Sequence, residues 1–89
     1  MTRASGPAAG ETRTKLYLTY PKALVREPIL CKLARKFDVV FNVRGASVTE
    51  DLGIIALELD GADDVLERAI IWLREQGVTV EPIEKNVIE

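Results

Sequence analysis

FNVRGASVTEDLGIIALELDG, residues 41–61, carries two strand patterns around one turn, and its reading decides the fold. Residues 39–49 are rich in valine and phenylalanine, with Phe41 and Val43 alternating against Asn42 and Arg44. That alternation is the mark of a strand. Glu50, Asp51 and Gly53 supply a turn, with Gly53 free to take positive φ. Residues 54–60 alternate again: Ile55, Leu57 and Leu59 face one side, Ala56 and Glu58 the other, and Gly61 ends the run. The first of these strands is unusual at its middle. Gly45, Ala46 and Ser47 stand where a packed strand would carry bulk.

Working outward, residues 13–20 (RTKLYLTY) alternate Leu16 and Leu18 against Lys15, Tyr17 and Thr19, a half-buried strand that Pro21 stops. Ile29, Leu30, Leu33, Ala34 and Phe37 recur at helical spacing, which predicts an amphipathic helix over 26–37. Pro28 suits its first turn, and Lys32, Arg35 and Lys36 suit its C-terminal end. A second helix begins at Ala62 or Asp63, where acidic residues meet the positive end of the helix dipole. Val65, Leu66, Ala69, Ile70, Trp72 and Leu73 line its buried face, and Gly77 follows it as a C′ residue. Residues 78–83 (VTVEPI) form a last short strand, whose Pro82 belongs at a sheet edge.

The order is β-α-β-β-α-β. It predicts an α+β fold, a ferredoxin-like sandwich with a four-stranded antiparallel sheet and both helices on one face. In that topology the strand order is four, one, three, two, so the strand holding Gly45 is an edge. Residues 1–12 lack branched aliphatic and aromatic side chains and read as a disordered N-terminal tail. The domain spans 13–85, and 86–89 form a short C-terminal tail.

A domain of this size has a marginal core unless something else buries surface. One cysteine rules out an internal disulfide, and with no histidine a zinc or iron–sulfur site has almost no ligands to use. Self-association is the supplement that remains. No run is long and apolar enough to insert in a membrane and no signal-peptide pattern opens the chain, which points to a cytoplasmic setting. Residues 1–45 carry nine basic and three acidic groups, and residues 46–89 carry three and eleven. That split is not a nucleic-acid footprint. It reads as two solvated helices of opposite sign, or as attraction between copies.

Catalytic chemistry finds little to work with. Ser47 and Thr49 have no histidine base, the first loop (TYPKA) holds no paired thiols for a metal chaperone, and Pro21 with Lys22 makes no phosphate cradle. The third strand lacks the aromatic residues with which an RNA-recognition sheet stacks bases. Cys31 reads as a small buried hydrophobe, Trp72 as core, and Tyr20 as a turn-packing residue within reach of a ligand. The edge strand is the remaining candidate. Its small residues fit either a bulge that only adds twist, or a close approach by a second chain or a small ligand.

The runs EPILCKLARKFDVVFNVRGASV, GIIALELDG and AIIWLREQGVTVEPI together resemble the NIL domain, the C-terminal domain of methionine-importer ATPases that also accompanies some ferredoxins. The resemblance spans residues 14–84, and the Asn-Ile-Leu triplet that names the family falls on Asn42, Val43 and Arg44. It implies a non-enzymatic regulatory domain that pairs with a second copy and binds methionine near their interface. Carried over by position, the ligand-binding or dimer-interface region is Asn42, Val43, Arg44, Gly45, Ala46, Ser47 and Val48. Arg44 departs from the family pattern, setting a cation where an apolar side chain meets the thioether, although a guanidinium can grip a carboxylate with two hydrogen bonds. No Walker motif and no cysteine cluster accompanies the domain, so the sequence reads as a free-standing copy without a cofactor.

The expected function is a regulatory module that binds an amino acid such as methionine between the subunits of a homodimer or higher homo-oligomer. The alternative is a protein–protein adaptor that docks without a small ligand, by strand addition or through its charged patches.

Overall fold

The computed structural model describes residues 11–83; residues 1–10 of the proposed tail at 1–12, and all of the proposed tail at 86–89, lie outside them. Strands β1 (Glu11–Pro21), β2 (Val40–Val48), β3 (Leu52–Ala62) and β4 (Thr79–Pro82) alternate with helices α1 (Ile29–Lys36) and α2 (Asp63–Glu75) in the expected β-α-β-β-α-β order. The sheet is antiparallel, in the order β2-β3-β1-β4. β1 takes in Glu11 and Thr12, which the composition had left in the tail. They pair with Ala62 and Gly61, and the Thr12 hydroxyl donates to Asp63 at the start of α2.

One face of the sheet packs on the helices. Leu16, Leu18 and Tyr20 of β1 stand beside Leu57 and Leu59 of β3, beneath Ile29 and Leu33 of α1 and Leu66, Ala69 and Leu73 of α2. Trp72 joins this layer edge-on to Phe37, with ring centroids 6.0 Å apart. On the other face the same period of two places Lys15, Tyr17 and Thr19 beside Glu58, Ala56 and Ile54.

Three local expectations are corrected. Helix α1 begins at Ile29, with Pro28 as its cap residue at φ −79° and ψ 62°, instead of reaching back to residue 26. The proline ring disfavours helical backbone at Glu27, which settles the boundary. At 3.6 residues per turn Ile29 and Leu33 share the buried side of α1, while Ala34 and Cys31 face solvent. Tyr20 and Pro21 are not in a loop: both extend β1, and Tyr20 is buried in the core.

Gly53 also departs from its expected role. Thr49 closes the hairpin itself, its hydroxyl accepting from the amides of Asp51 and Leu52 while its own amide donates to the Leu52 carbonyl. Gly53 therefore lies in β3, between Val48 and Tyr20. Positive φ among the described residues occurs at Gly77, at 102°. There the Gly77 amide donates to the Arg74 carbonyl and the Val78 amide to the Leu73 carbonyl, a Schellman closure of α2. Arg74 then ties α2 to β4 by donating to the Val80 carbonyl at 3.1 Å.

Candidate functional site

β2 is the terminal strand of the sheet, so one of its margins has no partner among the described residues. Its pairing with β3 carries one irregularity. Val43 stands opposite Leu57 and Gly45 opposite Ala56, which leaves Arg44 as the extra residue of a β-bulge. The sequence pointed to the small residues after it, and the structure sets the bulge one position earlier. A guanidinium explains that choice, because the Arg44 Nη1 donates to the Glu58 Oε2 at 2.7 Å across the ladder.

The bulge changes which residues share a side. Before it, Phe41 and Val43 lie on the helix side and Asn42, opposite Glu58, on the open side. After it, Ala46 and Val48 pair with Ile55 and Gly53 on the helix side, while Gly45 and Ser47 lie on the open side opposite Ala56 and Ile54. Strict alternation from Phe41 would have put Ala46 and Val48 on the side of Asn42. All seven candidate residues, Asn42 to Val48, are exposed, Val48 at 58 % and Val43 at 45 %. A methyl group built on Gly45 would meet no atom within 4 Å. The glycine is not required by any close approach within the chain, so the space above it is open to another molecule.

Charge on the open face is arranged in pairs. The Arg13 guanidinium grips Asp60 with two hydrogen bonds, 2.8 and 3.0 Å long. That hydrogen bonding holds the Arg13 pKa above its ordinary value. Glu58 takes Arg44 and lies 4.0 Å from the Lys15 Nζ. Arg44 is thus committed to a carboxylate of its own chain.

Sequence reasoning missed a cavity of about 210 Å³ between the start of α1 and the β2–β3 hairpin, lined by Tyr20, Pro28, Ile29, Val48, Gly53 and Ile55 among others. Val48 is the candidate residue that reaches it. Burial pushes the Tyr20 phenol pKa up to about 12. No groups of histidine, cysteine, aspartate and glutamate suited to a metal ion occur among the described residues. Nor is any described helix long and apolar enough to cross a membrane.

Comparison with known proteins agrees with this architecture. The C-terminal domain of an ABC transporter ATP-binding protein from Enterococcus faecalis superposes with a TM-score of 0.71 over 82 % of this chain and 86 % of that one, at 18 % identity. The Methionine import ATP-binding protein MetN of Helicobacter hepaticus is 32 % identical over 73 residues, which are 78 % of this chain and 20 % of that protein. Its counterpart from Myxococcus xanthus is 33 % identical over 81 residues, 86 % of this chain and 24 % of that protein. The chain therefore spans a fifth to a quarter of the length of these relatives. A family model described as NIL domain matches residues 14–82. The chain belongs to the NIL domain family.

Proposed function

We propose that the chain is a non-enzymatic, cytoplasmic regulatory module that pairs with a second copy along β2 and binds an amino acid such as methionine near that junction. The observation that carries this reading is the exposed margin from Asn42 to Val48, with open space over Gly45. An unpaired edge is normally blunted or covered, and a strand without bulk lets another main chain approach. Membership of the NIL family, and similarity to proteins named for methionine import, support the ligand class. A ligand acts here by preferring the paired or the unpaired state, since it shifts a population only by its differential affinity.

Light scattering across a concentration series, with and without methionine, tests the reading. The expected result is a concentration-dependent dimer whose dissociation constant changes with methionine, together with a ligand-dependent rise in melting midpoint. Gly45→Val should fold normally, because nothing in the chain obstructs the new side chain, yet weaken association. A wild type that stays monomeric at millimolar protein overturns the reading.

The ion pair of Arg44 with Glu58 favours a second reading, an adaptor that docks by strand addition with no small ligand. A dimer indifferent to every amino acid would establish it.

A further inference from the structure

The helical repeat sets Cys31, Ala34 and Arg35 on the side of α1 opposite Ile29 and Leu33, with Lys32 on the flank. All four are exposed. In α2 the same repeat sets Asp64, Arg68, Ile71 and Glu75 opposite Leu66, Ala69 and Leu73, with Glu67 on the flank. These are exposed too, and Ile71, at 54 %, is a large apolar side chain in the middle of a charged stripe. One exposed isoleucine means little by itself. Its setting is what counts.

The two outer sides have opposite sign. That of α1 holds Lys32 and Arg35 and no carboxylate. On α2, Asp64 and Arg68 pair with each other at 3.8 Å, which leaves Glu67 and Glu75 over. Arg74, the other cation of α2, is turned to the Val80 carbonyl. Both helices pack on one face of the sheet, yet among the described residues no ion pair joins them. Arg35, Glu67 and Glu75 have no ionic partner there, and Lys32 has only its exposed contact with Glu27.

We infer that the outer sides of the two helices form a docking surface for a second copy of this chain, in which α1 of each copy lies on α2 of the other. Ile71 of one copy rests on the shallow seat formed by Cys31 and Ala34 of its partner, while Glu67 and Glu75 face Lys32 and Arg35. A two-fold axis makes both contacts at once, because one patch contains both halves of the match. Such a patch is self-complementary, which favours a second copy over an unrelated acidic or basic partner. Laying α1 on α1 would set cation against cation. β2 takes no part, so this contact stands or falls apart from pairing along that edge. Helix α1 has eight residues, about 12 Å of length. The contact is therefore smaller than the roughly 800 Å² per partner of a standard interface, and it is weak and salt-sensitive.

Sedimentation equilibrium of the full chain at about 20 mM and about 500 mM salt tests it. The expected result is self-association at about 100 μM protein that weakens about tenfold at the higher salt. Lys32→Glu with Arg35→Glu, and separately Glu67→Lys with Glu75→Lys, should each abolish this contact, since each sets like charges on both facing helices. An equimolar mixture of the two double variants should restore it, because every α1 then meets an α2 of opposite sign. Glu50→Lys with Glu81→Lys gives the same net charge as the α2 variant but lies on the hairpin and β4, and should not restore association with the α1 variant. Ile71→Ser, at an exposed position, should keep the melting midpoint and weaken association about tenfold. Gly45→Val, which fills the β2 margin, should leave this contact as it is. The inference is overturned if the wild type shows no salt-sensitive association, or if neither double reversal removes it. It is equally overturned if the Glu50 and Glu81 variant restores association as well as the α2 variant does, or if Ile71→Ser associates like the wild type.

Discussion

Arg44 and Glu58 meet at 2.7 Å across the β2–β3 ladder, and the residue that makes the contact is the one the ladder leaves over. Bulge and ion pair belong together, because the extra residue bends β2 just where its long side chain reaches back over the open face. Glu58 is only 12 % exposed, whereas Arg44 is 56 % exposed, so the pair sits at the boundary between sheet and solvent. Arg44→Leu should cost about 0.2–1 kcal/mol, the usual span for exposed pairs. Urea unfolding at low and high salt checks this. The gap between wild type and variant should narrow as salt screens the pair, and a salt-independent gap would assign the effect to backbone geometry.

The Arg13–Asp60 pair should respond asymmetrically. Asp60 is 7 % exposed, while Arg13 is more than a third exposed at its side chain. Arg13→Leu removes the guanidinium from a nearly buried carboxylate, whereas Asp60→Asn leaves a guanidinium that water can reach. Arg13→Leu should be the more damaging of the two in urea midpoint. The reverse ranking would show that other contacts govern Asp60.

Tyr20 gives the fold an alkaline limit. Its phenol ionises at about 12 in the folded chain, because burial disfavours the phenolate, and near 10 when unfolded. Below pH 10 both states keep the proton and the group contributes no pH dependence. Between about 10 and 12 the unfolded chain releases the proton first, so stability falls as pH rises. Tyr20→Phe lacks this loss. Its stability relative to wild type should therefore grow across that window, as chemical unfolding at pH 9, 10 and 11 would record.

Gly77→Ala should destabilise the domain by about 1–2 kcal/mol, the cost of left-handed backbone in an L-residue. The new methyl would also come within 3.2 Å of the Leu24 Cδ1. Thermal melting is sufficient to read this. A neutral result would mean that α2 ends without the Schellman closure.

Much of the fold is written in period alone. Leu16 with Leu18 and Leu57 with Leu59 name the covered face of each central strand, and Val65 to Leu73 name the covered side of α2. Where one residue type permits two conformations, period does not decide. Gly53 suits a left-handed turn, but Thr49 closes the hairpin with its own hydroxyl and amide, so the glycine stays extended. Cys31 falls two residues after Ile29, nearly opposite it on α1, so it turns outward although its residue type favours burial. The candidate margin was legible as an exposed edge with little bulk. The cavity was not, since Tyr20, Ile29 and Gly53 come from three elements and nothing in their spacing announces that they converge.

The surplus residue in β2 sets the phase of everything that follows it in the strand. Trading one side chain for another between 44 and 48 leaves the phase intact. Deleting Arg44 would leave it intact too, because plain alternation from Phe41 and Val43 would still bring Ala46 and Val48 to the helix side, whereas regular pairing of the full-length strand would swing Val48 away from the mouth of the cavity and exchange the two surfaces that the final third of the ribbon presents.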